Sequence, residues 1–243
     1  MSNFLAHAFD SARKHTQDAA RLALPQRCEL CAGASGNALV CATCDRALPR
    51  ITHPCPVCAL PSAAPVPCGP CLADPPPFDA TLAAYAYAFP VDRMVQSFKY
   101  HGRLALADWC AEAILAARAR MDEPLPDAIV ALPLAAARQR ERGFNQSVEI
   151  ARLIASNLRV AQIDAGVRRI RASRPQADLP WTERAANVRG AFVCDVSLSA
   201  LRVAVIDDVM TTGATLSEFA RTLKRAGAAR VENWVVARTP PPG

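Results

Sequence analysis

The thirteen residues Val203–Thr215, Val-Ala-Val-Ile-Asp-Asp-Val-Met-Thr-Thr-Gly-Ala-Thr, constrain this chain more than any other segment. An apolar run of strand length ends in two adjacent carboxylates, Asp207 and Asp208, and a short turn of hydroxyls and one glycine follows. Leu216, Phe219, Ala220 and Leu223 fall at i, i+3, i+4 and i+7, which predicts a helix over Leu216–Ala226. A turn between strand and helix, with amides pointing into it, suits an anionic phosphate. Carboxylates beside it repel phosphate and suit sugar hydroxyls or a hydrated magnesium ion instead. Phosphate and diol side by side describe a ribose 5-phosphate. The alternative is a capped helix start beside two surface acids. Adjacent carboxylates directly after a buried strand are costly, however, unless something cationic or polar meets them.

The cysteines form a second framework. Eight of the ten make four C-x2-C pairs, Cys28/Cys31, Cys41/Cys44, Cys55/Cys58 and Cys68/Cys71, and a shift of 27 positions carries the first four onto the second four. The unit C-x2-C-x9-C-x2-C lets two tight knuckles present four thiolates to one zinc ion, so two structural zinc ions are expected. Interleaved pairing, first knuckle with third, is the alternative and needs longer closures. Cys68-Gly69-Pro70-Cys71 has the form of a redox tetrapeptide. Pro65, Pro67 and the run Pro75-Pro76-Pro77 nevertheless deny it the strand before and the long helix after that a redox fold supplies. With few large apolar side chains, the segment Cys28–Leu72 needs the metal, which supplies on the order of 10 kcal/mol or more. Four thiolates leave zinc no open position for catalysis. Cys110 and Cys194 stand alone and read as core residues.

Composition bounds the rest. A 51% apolar chain of 243 residues supports one sizeable domain plus a small one. No apolar stretch approaches the roughly 18 residues of a membrane span. Asp10, Arg13, Lys14, Asp18, Arg21 and Arg27 argue against a signal peptide, so a cytoplasmic protein is expected and its cysteines should be reduced rather than disulfide-bonded. Ser11–Leu24 reads as a short amphipathic helix. The net charge of +6 is carried largely by arginine: eleven lie between Arg138 and Arg189, against five acidic residues. That density suits pyrophosphate, and it also suits nucleic acid. Aromatic residues at 6% weaken a base-stacking platform.

Pro75-Pro76-Pro77 marks a stiff boundary. Beyond it, Ala80–Phe89 reads as an edge strand or hairpin arm, and Val91–Phe98 as a short helix delivering Lys99 and His101 to a loop ended by Gly102. Leu106, Trp109, Cys110 and Ala113 form a helical stripe, and Ala128–Leu132 is a buried strand stopped by Pro133. In the loop that follows, Arg138, Arg140 and Arg142 alternate. Gly143-Phe144-Asn145-Gln146 then opens a helix with the stripe Ile150, Leu153, Ile154 and Leu158. Strand, basic loop and helix N-terminus make a second anion site. Arg168–Phe192 sustains no period through its first half, and Trp234–Ala237 reads as a last strand before a disordered Pro240-Pro241-Pro242 tail.

Val203–Thr215 resembles the phosphoribosyl-pyrophosphate (PRPP) motif of type I phosphoribosyltransferases. Taken with the run Arg140-Glu141-Arg142-Gly143-Phe144-Asn145-Gln146-Ser147 and the cysteine pairs, the chain from Cys28 to Arg238 is similar to the ComF/GntX family, associated with natural competence and DNA utilisation. The resemblance implies an α/β fold, a mainly parallel sheet flanked by helices, over residues 78–239. A double zinc ribbon at 28–74 and an amphipathic segment at 1–27 would precede it. It implies that Asp207 and Asp208 hold the ribose hydroxyls, that Arg142 acts on the leaving pyrophosphate, and that Mg2+ accompanies PRPP. It further implies PRPP contacts from Lys99, Arg138, Arg140, Gly143, Thr211, Thr212, Gly213, Ala214 and Thr215. Arg168–Phe192 would be a mobile flap, with Arg171, Arg174, Arg184 and Arg189 as diphosphate contacts. Purine-salvage relatives often carry an aspartate as base in the turn, and Thr211 stands there instead. Two classes of function follow: a magnesium-dependent transferase of PRPP, or a non-catalytic PRPP-sensing or single-stranded-DNA-binding module in DNA uptake, with competence-machinery proteins as partners.

Overall fold

Strand formation in the larger part of the chain follows from runs that are apolar without alternation, the pattern of a parallel sheet covered on both faces. In the computed structural model, residues 26–171 and 188–240 are described. Ser11–Leu24, Arg174, Arg184, Pro241 and Pro242 lie outside them. The chain divides into two units, Met1–Leu48 and Pro49–Gly243. The first holds β1 (Gln26–Arg27) and β2 (Ala34–Gly36), an antiparallel pair, and the short helix α1 (Ala42–Arg46).

The second unit begins with a cysteine-bearing loop and the short helix α2 (Gly69–Ala73). Its sheet comprises β3 (Ala80–Ala86), β4 (Ala128–Ala131), β5 (Ala161–Gln162), β8 (Arg202–Met210) and β9 (Arg230–Arg238), in the order β3-β9-β8-β4-β5. Every pairing is parallel. β3 is thus an edge strand, not a hairpin arm. A separate antiparallel pair, β6 (Val167–Arg169) with β7 (Phe192–Cys194), brackets the arginine-rich segment.

Crossover helices sort by the pleat. Val203 and Val205 of β8, with Val231 and Val235 of β9, join Leu216, Phe219 and Leu223 of α7 (Ala214–Arg225) in one core cluster. The intervening Ala204, Ile206 and Trp234 point to the opposite face, as a two-residue period requires. There α4 (Ala105–Arg118) and α6 (Gln146–Leu158) pack on each other and on the sheet. Trp109 of α4 stacks on Tyr85 with ring centroids 5.5 Å apart. Cys110 is fully buried, and Cys194 is half-buried with its thiol donating to the carbonyl of Val196 at 3.4 Å.

Two segments read as loops are helical. α3 runs Val91–His101, so Lys99 lies in its last turn and left-handed Gly102 closes it. α5 covers Ala136–Arg142 and ends at left-handed Gly143. An alternating charge pattern disguises a short helix because it mixes faces: only Arg138 and Arg142, at i and i+4, share a side. Packing of α7 rests on Phe219, fully buried and 4.9 Å from Phe192 between ring centroids. Phe219→Ala is expected to lower the unfolding free energy by about 3–5 kcal/mol in urea denaturation.

Candidate functional site

At the carboxyl ends of the central strands a cleft of about 680 Å3 opens, where the crevice of an open parallel sheet is expected. β8 delivers Asp207 and Asp208 to its floor, and each carboxylate has a partner. Lys99 Nζ lies 2.9 Å from Asp208 Oδ1. Ser147 Oγ donates to Asp207 Oδ1 at 3.0 Å. Burial opposes the charge on Lys99, but the fields of Asp208 and Asp207 outweigh it and raise its pKa. Burial also pushes Asp207 up to about 7, reinforced by the adjacent Asp208 and opposed by Lys99 and Ser147.

The strand passes into the turn through Met210. Thr212 Oγ1 accepts from the amide of Ala214 at 3.1 Å, so a side chain one residue outside the cap starts α7. Gly213 sits at φ +84°, and a Cβ there would come within 2.6 Å of Met210 Cε. The left-handed φ makes glycine the residue the turn favours, whereas the Met210 methyl, at the end of a flexible side chain, can move aside. No acid occupies the first turn of α7, which leaves its positive end to an anion.

The facing wall comes from the β4 crossover. Asn145 caps α6: its side chain accepts from the Ser147 amide at 3.1 Å and donates to the Leu132 carbonyl at 3.0 Å, tying helix start to strand end. Gln146, buried behind it, accepts from Arg142 Nη1 at 3.2 Å. Arg142 also lies over the Tyr100 ring, 5.0 Å from its centroid. Arg169 enters from β6, its guanidinium over Phe192. Its pKa is lowered by burial and by the nearby Arg138, partly offset by Asp207. Lys99, Arg138, Arg142 and Arg169 line the cleft against two carboxylates, so it retains positive charge for an anionic ligand.

Of the residues picked from sequence, Asp207, Asp208, Lys99, Arg138, Arg142, Thr211, Gly213 and Thr215 line this cleft together. Thr212 and Ala214 shape the turn behind it. Arg140 and Gly143 are exposed outside the lining, as are Arg171 and Arg189. Sequence reasoning passed over Ser147, Asn145, Gln146 and Arg169 as site residues. An asparagine directly before an apolar-periodic helix is a capping signal and marks Asn145.

The cysteines gather into two clusters, Cys28/Cys31/Cys41/Cys44 and Cys55/Cys58/Cys68/Cys71, each with its sulfurs within 4.8 Å of one another. Pairing is therefore sequential, not interleaved. Zn–S bonds of about 2.3 Å give a tetrahedral edge of about 3.8 Å. Cys31 and Cys41 sulfurs lie 3.8 Å apart, those of Cys58 and Cys68 3.6 Å. The Cys41 amide donates to Cys28 Sγ, and the Cys68 amide to Cys55 Sγ, each at 3.3 Å. Burial opposes ionisation of Cys28, but the amides of Cys41, Cys31 and Leu30 bring it down to about 6. Burial likewise opposes Cys55, which amides of Cys58, Cys68 and Val57 bring down to about 7. Hydrogen bonding to Cys31 and Cys41 pushes Cys44 up to about 12, and burial pushes Cys58 up to about 11. Cys28 and Cys55 thus ionise readily, whereas Cys44 and Cys58 need a cation beside them to do so. The donor sets fit zinc.

Comparison with known proteins adds the lineage. The chain is 36% identical over 225 residues to the DNA utilization protein YhgH of Salmonella typhi, covering 90% of this chain and 99% of that one. The chain belongs to the ComF/GntX family. It is also 31% identical over 178 residues to competence protein F of Haemophilus influenzae, covering 70% of this chain and 78% of that protein. No protein-family model matches. Among solved structures, a purine phosphoribosyltransferase from Pyrococcus horikoshii Ot3 is similar, with a TM-score of 0.30 and 15% identity over 67% of this chain and 94% of that one. The ComF/GntX assignment rests on the sequence relatives. No helix among the described residues of this ComF-family chain is long and apolar enough to cross a membrane.

Two measurements follow. Metal analysis of the purified ComF-family protein is expected to give two zinc ions per chain, with Cys31→Ser and Cys58→Ser each removing one. The second concerns pH. Asp207 has an ordinary pKa of 3.8 and about 7 in the fold, so the folded state holds its proton more tightly than the unfolded chain. Stability contributed by that site therefore falls as pH rises through this window and is lost above about 7. Asp207→Asn should gain stability relative to the parent as pH rises from about 4 to about 7 and change no further above it, read by denaturant titration.

Proposed function

We propose that the cleft binds PRPP together with Mg2+ and serves transfer of its phosphoribosyl group. One observation carries this reading: a carboxylate pair, a threonine-glycine turn and a helix N-terminus follow one another on a single strand–turn–helix unit facing a cationic wall. Asp207 and Asp208 orient the ribose hydroxyls. Thr211, Thr212, Gly213, Ala214 and Thr215 hold the 5-phosphate, a remote anchor whose binding fixes the position of C1. Arg138, Arg142 and Arg169, with Lys99, meet the pyrophosphate, on which negative charge grows as the bond to C1 breaks and a nucleophile takes its place. The adjacent carboxylates are hard oxygen donors suited to Mg2+, directly or through water, and the ion supplies neutralisation of the diphosphate charge when bound.

A second reading, binding without transfer, has its own support. Asp207 and Asp208 are the only carboxylates among the described lining residues, no histidine joins them, and both are engaged. Among the described lining residues no further carboxylate or imidazole is thereby available to take a proton from an incoming acceptor. In this reading the site senses PRPP in a protein whose relatives are named for DNA utilization and competence, and DNA is met elsewhere on the arginine-rich surface.

Titration calorimetry with PRPP and Mg2+ is expected to show binding by the parent. Asp207→Asn/Asp208→Asn should lose it, and Arg142→Ala should weaken it about tenfold or more, the loss of a charge-assisted contact. Pyrophosphate release across a panel of amines, bases and nucleic acids decides between transfer and sensing. Absence of binding heat with the parent overturns both.

A further inference from the structure

Arg238, the last residue of β9, has no role in the chemistry above, yet it is among the most buried charges of the chain, with 3% of its surface exposed. A buried guanidinium is costly unless its donors are satisfied. Arg238 satisfies them at two separate places. Its Nε donates to the carbonyl of Cys58 at 2.8 Å, within the second cysteine cluster. Its Nη1 donates to the carbonyls of Met210 at 3.1 Å and Thr239 at 2.8 Å, and to that of Thr211. Met210 and Thr211 are where β8 leaves the sheet and the anion-binding turn begins.

We infer that Arg238 is a positioning residue that couples the second four-cysteine cluster to the turn, so that metal bound by Cys55, Cys58, Cys68 and Cys71 sets the conformation of Thr211–Gly213 and with it the affinity for the sugar phosphate. The knuckle is a short loop closed by the Cys55 amide to the Leu60 carbonyl at 2.8 Å, the Ala59 amide to the Cys55 carbonyl at 2.8 Å and the Ser62 amide to the His53 carbonyl at 3.0 Å. A metal ion drawing four sulfurs together fixes where the Cys58 carbonyl points. Four thiolates around a divalent ion also leave a net negative charge beside a guanidinium whose hydrogen-bond partners are neutral carbonyls. The planar fork transmits that position because its donors cannot move independently. At the far end it fixes the Met210 and Thr211 carbonyls, and a peptide plane with a fixed carbonyl has a fixed amide on its other side. Those amides, of Thr211 and Thr212, belong to the turn. A second tie, from the Thr81 amide to the Pro56 carbonyl at 3.1 Å, moors the same knuckle to β3.

The affinity arm of this inference rests on the PRPP reading; the structural arm does not. The full-length zinc-loaded protein, Arg238→Lys, Cys71→Ser and the double variant are compared. Zinc content, calorimetry with PRPP and Mg2+, and hydrogen exchange of the amides of residues 211–215 are measured. Arg238→Lys should keep two zinc ions and bind PRPP about tenfold more weakly. Cys71→Ser should lose one zinc and weaken binding to a similar degree. The double variant should fall about tenfold in all, not about a hundredfold, because the two changes break one connection. Turn amides should exchange faster in each variant than in the parent. Parent-like affinity and exchange in Cys71→Ser, or multiplying losses in the double variant, overturns the coupling. Should the parent give no heat with PRPP, the proposed function falls, and the exchange rates alone then decide for or against the coupling. Should Arg238→Lys fail to fold, Cys71→Ser decides by the same two readouts.

Discussion

Two carboxylates on consecutive residues at the end of a buried central strand set the terms for everything around them. Asp207 and Asp208 take their partners from separate elements. Lys99 comes from the last turn of α3 and Ser147 from the first turn of α6. Each is locked in turn: Gly102 ends α3 just after the lysine, and Asn145 pins α6 to the end of β4. The compensation leaves Asp207 with a pKa near neutrality, which marks a site that is tolerated rather than relaxed.

Much of this was visible in the sequence, for identifiable reasons. β8 and α7 announced themselves because a continuous apolar run and a 3.6-residue stripe flank the turn without interruption. The two zinc-type clusters were legible because ligand spacing is a local property, but the repeat left interleaved pairing open and the sulfur positions decide for the sequential one. What stayed hidden was whatever depends on distant segments. The Ser147–Asp207 contact spans 60 residues and Lys99–Asp208 more than a hundred, and nothing in either neighbourhood signals the other. Arg138–Arg142 looked like a loop because charge patterning obscured its helical faces. Arg140 consequently appeared equivalent to its neighbours, although it stands outside the cleft.

Charge is distributed with the same economy. A cleft with four cations and two acids needs an anion to balance it, whereas most of the remaining arginine lies exposed or in ion pairs with Glu123, Glu218 and Glu232. Glu218 and Glu232 are buried, so the arginines beside them neutralise carboxylates that would be costly alone. The cysteine clusters apply the opposite strategy, concentrating latent negative charge where a divalent ion can organise it.

The position of β9 has a consequence for how the molecule is made. It is the last described strand in sequence, yet it lies between β3 and β8, pairing Ala80 with Glu232 across some 150 residues. Until it inserts, the sheet exists only as two unjoined parts, and β3 is a solitary ribbon with both edges bare. A chain emerging from the ribosome therefore carries an early segment that waits for nearly the whole remainder of the domain to be synthesised before it can pair. Such an order slows maturation and makes chaperone shielding of that early segment more valuable than in a domain whose neighbours in space are neighbours in sequence.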